Sequence, residues 1–326
     1  MIFFIILLVF LIILELYLRS FTKDNYEYEN IKRVPNLELQ RSYKVHSETG
    51  HSQNSRECKT LGWDLIENSK INVKIKVPYI NEEKSIEYTL NNISARSNKT
   101  EITLNNQKKI IGYFGCSITY GHGLNNDDTY PHKIFESLKN HDFLNCAVPG
   151  YSVYQSLLKL EKKIKQVKFD KIILGIHKDL ERRNTCSSTW TKIINNFWGI
   201  PYMINIFNIS LKFKPKKRFE LKLFNLRIID SFSKFINFIF FSLGSLKAIQ
   251  KSTMKKTLVE FRQLCEKNNI ELIVLCLENY PSIYDFLIEK KFNWTSSNIN
   301  LDEKNINGEH IWQLLPWDNH PNEDAN

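Results

Sequence analysis

The sequence predicts an α/β fold, a three-layer α/β/α sandwich on a central parallel sheet. An N-terminal transmembrane helix and a small β-rich segment are expected ahead of it. Two observations carry the prediction. Short apolar runs recur at Ile110–Phe114, Phe143–Val148, Lys171–Ile176 and Glu271–Leu277, with helical patterns at about Tyr130–Leu138, Val153–Val167 and Thr253–Lys267 between them. Strands that alternate with helices pair in parallel and are covered on both faces, which is why such strands read as continuous apolar runs. The other observation is the start of the chain, where residues 2–18 are apolar except for Glu15 and are followed by Arg19.

That first segment lies at the short end of what crosses a bilayer, about 20 residues being usual. A cleaved signal peptide is the alternative, but Glu15-Leu16-Tyr17-Leu18 stands where small residues would mark a cleavage site. An uncleaved signal-anchor over residues 1–20 is therefore expected. Arg19, Lys23, Lys32 and Arg33 follow it, and the positive-inside rule alone would keep the remainder in the cytoplasm. Residues 21–70 read as a polar tether or irregular lead-in. Residues 71–108 alternate as short strands do, in Val73-Lys74-Ile75-Lys76-Val77 and Ile86-Glu87-Tyr88-Thr89-Leu90. The main domain spans 109–326, with an inserted helical region at 185–250. In that insertion Ile228, Ile229, Phe232, Phe235, Ile236, Ile239, Phe240 and Leu243 fall at helical spacing, and Asp230 and Lys234 argue against a second membrane span. A helix packed on the domain, a lid, or an interfacial helix each fits this pattern.

The formal charge of the 326 residues is +10. Lys159, Lys162, Lys163, Lys165, Lys168 and Lys171 interleave with Leu157, Leu158, Leu160, Ile164 and Val167, as on the solvated face of an amphipathic helix. A second set comprises Lys212, Lys214, Lys216, Lys217, Arg218 and Lys222. Neither set carries the interleaved aromatics or the module of a nucleic-acid binder, and a surface near anionic lipid accounts for the surplus. The six cysteines (Cys58, Cys116, Cys146, Cys186, Cys265, Cys276) show no C-x-x-C spacing. Cys146, Cys265 and Cys276 read as buried thiols, and neither a metal nor a cofactor is expected.

Chemistry is suggested at two places. Gly115-Cys116-Ser117-Ile118-Thr119-Tyr120-Gly121 follows directly on the first buried run, which puts Ser117 at the carboxyl end of a parallel strand, where ligands bind in such sheets. Glycine is absent two residues after the serine, so this is not the G-x-S-x-G elbow. A serine nucleophile needs a base, and the base needs an acceptor to fix its tautomer. Pro316-Trp317-Asp318-Asn319-His320-Pro321-Asn322 supplies an acid and an imidazole two residues apart.

These stretches resemble the conserved blocks of SGNH/GDSL hydrolases, in particular the bacterial membrane-anchored branch. Gly112 to Leu124, continuing to Thr129-Tyr130-Pro131, is similar to the first block, with Cys116 where aspartate is usual. Asn145-Cys146-Ala147-Val148-Pro149-Gly150-Tyr151-Ser152 is similar to the second, and Asp318-Asn319-His320-Pro321-Asn322 to the last. Ile86 to Arg96 is similar to the strand that precedes the domain. The third block departs: Gly175-Ile176-His177-Lys178-Asp179 carries Lys178 where the family has an asparagine donor, and Asp179 to Asn184 fits a D-x-x-R-R-N variant.

The resemblance implies a flavodoxin-like hydrolase domain with Ser117 as nucleophile, His320 as base and Asp318 orienting it. The N–H groups of Ser117 and Gly150 would form the oxyanion hole, and Lys178, His177 or Asn184 would replace the missing donor. It implies an ester substrate, an acylated cell-envelope glycan or a lipid, and an extracytoplasmic domain, against the flanking charges. Trp190, Trp198 and Trp312 are candidates for sugar stacking or for core. The rival expectation is a catalytically degenerate member that binds glycans or serves in assembly.

Overall fold

The structure is a computed structural model and describes residues 54–77, 82–103, 108–138, 140–187, 190, 200–216, 243–297, 299, 313–315 and 318–321. The expected membrane segment at 2–18 and the helical pattern at 228–242 lie outside these residues. Among the described residues no helix is long and apolar enough to cross a membrane.

The first elements form two antiparallel hairpins. Strand β1 (Ser55–Cys58) pairs with β2 (Gly62–Leu65), and β3 (Ser69–Val77) pairs with β4 (Glu82–Leu90). The expected irregular lead-in therefore gives way to ordered strands by Ser55. Leu61, Trp63 and Leu65 anchor that first hairpin in a core shared with Val73, Ile86, Tyr88 and Leu90. Burying such side chains stabilises by roughly 1.5–3 kcal/mol each, more than four-residue strands could supply alone.

The main domain then runs β5 (Lys109–Phe114), α1 (Ser117–Tyr120), α2 (Tyr130–Glu136), β6 (His141–Asn145), α3 (Val153–Lys163), β7 (Lys171–Ile176) and α4 (Leu180–Asn184). After it come β8 (Ile200–Ile206), β9 (Ile209–Lys216), α5 (Lys247–Lys267), β10 (Glu271–Cys276), α6 (Pro281–Glu289), β11 (Trp294–Ser296), β12 (Gln313–Leu315) and β13 (Asp318–Pro321). Five of the strands form one sheet in the order β11-β10-β7-β5-β6, and every pairing in it is parallel.

Successive residues of a buried strand face opposite sides, and β5 shows helices on both. Phe114 packs against Phe169 and against Phe261 of α5, whereas its neighbour Tyr113 packs against Tyr130 of α2. Helix α3 opens with a capping box, Ser152 and Gln155 each accepting the other's backbone N–H at 3.1 Å, worth about 1 kcal/mol.

Two expectations are corrected. The insertion expected to be helical contains the β8–β9 hairpin, whose Phe207-Asn208 turn has both residues at positive φ (49° and 64°), the two-residue geometry that matches strand twist. The helix face read as solvated is not uniformly so. Lys159 and Lys163 are buried; the Lys159 ammonium lies 2.7 Å from the buried Asp64 carboxylate and 2.9 Å from the Ser94 carbonyl. Lys163 donates to the Ile93 carbonyl. These two lysines tie α3 to the N-terminal hairpins, so their charge is spent inside the molecule.

Candidate active site

The strand order reverses beside β5, because the chain steps from β5 outward to β6 and then back across to β7. In open parallel sheets a crevice forms at that point, outside the carboxyl ends of the strands. Gly115, Cys116 and Ser117 leave β5 there, and His177 leaves β7 beside them.

Two glycines make the close approach possible. Gly115 has φ +152°, and a Cβ on it would lie 2.5 Å from the Thr119 hydroxyl; a Cβ on Gly175 would lie 2.2 Å from the same oxygen. With no side chain at either position, α1 settles directly onto the ends of β5 and β7. The Thr119 hydroxyl accepts from Tyr130 at 3.1 Å, which fixes α1 to α2.

The far end of α1 is held by Arg96. Its guanidinium donates to the carbonyls of Tyr120 (2.7 Å), Gly121 and Leu124 and to the Asn126 side chain. It is also sandwiched between the rings of Tyr88 and Tyr120, 4.8 and 4.9 Å from their centroids. A buried cation is costly unless every donor is used, and here the carbonyls at a helix C-terminus use them. Asn145 adds a bond from its amide to the Thr119 carbonyl, at 2.9 Å.

Ser117 is the first residue of α1 and 5% exposed. Gly150 lies in the turn after β6 with φ +81°, a conformation glycine adopts without strain. That turn is fixed from the N-terminal hairpins. Trp63 donates its indole N–H to the Pro149 carbonyl at 3.1 Å, and the Tyr151 hydroxyl donates to the Trp63 carbonyl at 2.5 Å. Among the described residues, neither the Ser117 N–H nor the Gly150 N–H donates a hydrogen bond within the protein.

Strand β13, which carries Asp318 and His320, packs against α1. It pairs with β12 through Leu315 opposite Asp318 and Gln313 opposite Pro321. The His320 ring lies 4.6 Å, centroid to centroid, from the ring of His122, which is buried and stacks in turn on Tyr88. The structure thus brings the segment at the end of the chain to the helix that begins at Ser117.

The third-block candidates separate. Lys178 is exposed, and its backbone N–H donates to the Glu278 carboxylate at 2.7 Å. Asn184 is committed elsewhere: its side-chain oxygen accepts from the Tyr154 N–H at 2.9 Å and its amide lies 3.2 Å from the Met254 sulfur. It pins α3 and α5 to α4 and is no donor for the crevice. His177 is buried, with its Nε2 3.2 Å from the Cys116 sulfur.

Burial alone would push the Cys116 thiol up. The charge and hydrogen bond of His177, with a smaller contribution from Arg183, bring it down to about 6. Burial likewise opposes charge on His177, and Cys116 and Asp179 overcome it, so its pKa is raised. Asp179 is itself desolvated, but Arg183, Arg182 and His177 hold it well below the usual carboxylate range. The Cys116–His177 contact was not legible in the sequence, since 61 positions separate the partners. The parallel pairing of β5 with β7 is what joins them.

All six cysteines are free, and Cys146, Cys265 and Cys276 are buried as expected. Trp190 is buried, with the Arg183 guanidinium 4.4 Å over its ring, so it is core; Trp198 and Trp312 lie outside the described residues. Among the described residues no cluster of three or more His, Cys, Asp or Glu side chains is placed to hold a metal ion.

No protein-family model and no curated protein matches this chain. Among solved structures it is similar to AlinE4, described as an SGNH-hydrolase family esterase, at 13% identity and TM-score 0.34, covering 59% of this chain and 77% of that one. It is similar to a GDSL-like lipase from Bacteroides thetaiotaomicron VPI-5482 at 10% identity and TM-score 0.37, covering 69% and 85%. A member of the lipolytic protein G-D-S-L family from Veillonella parvula DSM 2008 gives 15% identity and TM-score 0.38, covering 67% and 91%.

Proposed function

We propose that the chain is a serine ester hydrolase of the SGNH type. The observation that carries this reading is the packing of β13 against α1, whose first backbone N–H, that of Ser117, has no hydrogen-bond partner among the described residues. The Ser117 hydroxyl attacks the ester carbonyl, and His320 takes its proton. Asp318, in the same strand, orients the imidazole and stabilises its charged form. The N–H groups of Ser117 and Gly150 receive the tetrahedral oxyanion, and one such donor is worth about 10²–10³ in rate. Collapse expels the alcohol, which His320 protonates. Water then repeats the sequence to release the acid, or an acceptor hydroxyl takes the acyl group in its place.

The substrate class that fits is an O-acylated glycan or a lipid ester of the cell envelope. Residues 2–18 would tether the domain to the membrane, with the domain on the extracytoplasmic side. A second reading, a non-catalytic glycan-binding or assembly protein, is favoured by one observation: the Asn184 side chain is spent on Tyr154 and Met254 and so supplies no third donor.

Labelling of the full chain by a fluorophosphonate probe separates the two. Covalent labelling that Ser117→Ala abolishes supports the hydrolase. Its absence from folded wild-type protein leaves the binding reading.

A further inference from the structure

The carboxyl edge of the sheet holds a second pair of reactive groups that the hydrolytic scheme does not use. Cys116 immediately precedes Ser117 and is 0% exposed; His177, at the end of the neighbouring strand, is 8% exposed. Their 3.2 Å sulfur-to-nitrogen separation spans the strand pair β5–β7, at the point where the strand order reverses. The residues around the pair are few and named. Arg183 and Asp179 face it from α4 and the turn before it, Tyr130 approaches Cys116 from α2, and the Ile118 N–H points at the sulfur from α1.

We propose that Cys116 and His177 form a buried thiolate–imidazolium ion pair that locks the loop bearing Ser117 to the loop after β7, and that hydrolysis at Ser117 depends on this lock. Both residues are positioning residues, since neither needs to touch the substrate. The inference rests on the hydrolase reading for its catalytic half only; the ion pair itself does not need it.

Three features favour a charged lock over an ordinary buried thiol. A neutral cysteine in this apolar setting would behave as Cys265 and Cys276 do, whose thiols burial pushes up to about 12. Cys116 moves the other way, and the feature that distinguishes it is the imidazole at hydrogen-bonding distance. Second, neighbouring charges bear on both partners: Arg183 favours the Cys116 thiolate, and Asp179, held by Arg182 and Arg183, favours the charge on His177, which Arg183 opposes and the contact with Cys116 outweighs. Third, the lock acts where precision matters. The Ser117 N–H and hydroxyl both begin one residue from Cys116, and displacing reacting groups by about 1 Å can cost on the order of 10²-fold in rate.

The pair exists in a pH window. Its thiolate is lost as pH falls through about 6. Its imidazolium is lost as pH rises through the raised pKa of His177. Stability should therefore follow a bell whose acid limb belongs to Cys116.

The test has two independent arms on the full chain. Ultraviolet thiolate absorbance, titrated against Cys116→Ser as reference, should show one step near pH 6 that disappears in Cys116→Ser and moves up in His177→Gln. If the Cys116 step falls in the ordinary thiol range instead, the ion pair is overturned, whatever the protein catalyses. In the second arm, fluorophosphonate labelling of Ser117 should fall on the order of tenfold to a hundredfold in Cys116→Ser. It should recover in Cys116→Asp, which restores an anion opposite His177 and also serves if the serine variant does not fold. A titration near pH 6 with unchanged labelling in Cys116→Ser would overturn the positioning role. Absence of labelling in wild type would remove the hydrolase reading, with the absorbance arm still deciding the pair.

Discussion

The two halves of the proposed triad are held very differently. Ser117 follows the second strand from the edge of a five-stranded parallel sheet. Its helix is fixed at one end by the close approach at Gly115 and Gly175 and at the other by Arg96 and Asn145. His320 sits on a four-residue strand paired with a three-residue partner, and its ring lies 4.6 Å from that of His122. The position of the proposed nucleophile is over-determined by packing; the proposed base is carried by a short hairpin. Damage on the nucleophile side should therefore cost stability and activity together, whereas damage on the base side should cost activity alone.

The largest expected effect is His320→Ala. Loss of a triad base lowers turnover on the order of 10⁴-fold or more, and the denaturant midpoint should move by less than about 1 kcal/mol equivalent. A large stability loss here would erase the contrast between the halves. Next is Arg96→Met, which leaves the carbonyls of Tyr120, Gly121 and Leu124 without their donor. Each unsatisfied buried group costs about 1–3 kcal/mol, so equilibrium unfolding should show about 3 kcal/mol or more lost, and labelling should fall with it.

His122→Leu is expected to be intermediate. It keeps an apolar body against Tyr88 but removes the imidazole beside His320, and a shift of the base should lower the labelling rate on the order of tenfold. Lys178→Ala is the smallest. Its side chain is exposed and its bonded group is the backbone N–H, which alanine keeps. Rates should stay within about twofold; a fall of 10²-fold, the scale of a lost oxyanion donor, would place the lysine at the reaction after all.

The same contrast explains what the sequence disclosed. The central strands were legible because burial on both faces imposes unbroken apolar runs, as in Lys109–Phe114 and Lys171–Ile176, and the chain there obeys local rules. The serine was legible for the same reason, as the residue that leaves such a strand. Features made by distant partners were not. Lys159 reads as a solvent-facing lysine until Asp64, 95 positions away, is folded against it. The β8–β9 hairpin was hidden by the helical spacing downstream, although the alternation of Ile209, Leu211 and Phe213 with Ser210, Lys212 and Lys214 carried the signal. The β1–β2 hairpin is too short for any period to show, and the N-terminal core orders it.

Mapping the fluorophosphonate adduct by mass spectrometry, in wild type and in His320→Ala, tests the central claim most directly. The account expects the phosphonate on the peptide containing Ser117 in wild type and none in the variant at the same exposure. An adduct on a different residue, or equal modification of Ser117 without the imidazole, would contradict it.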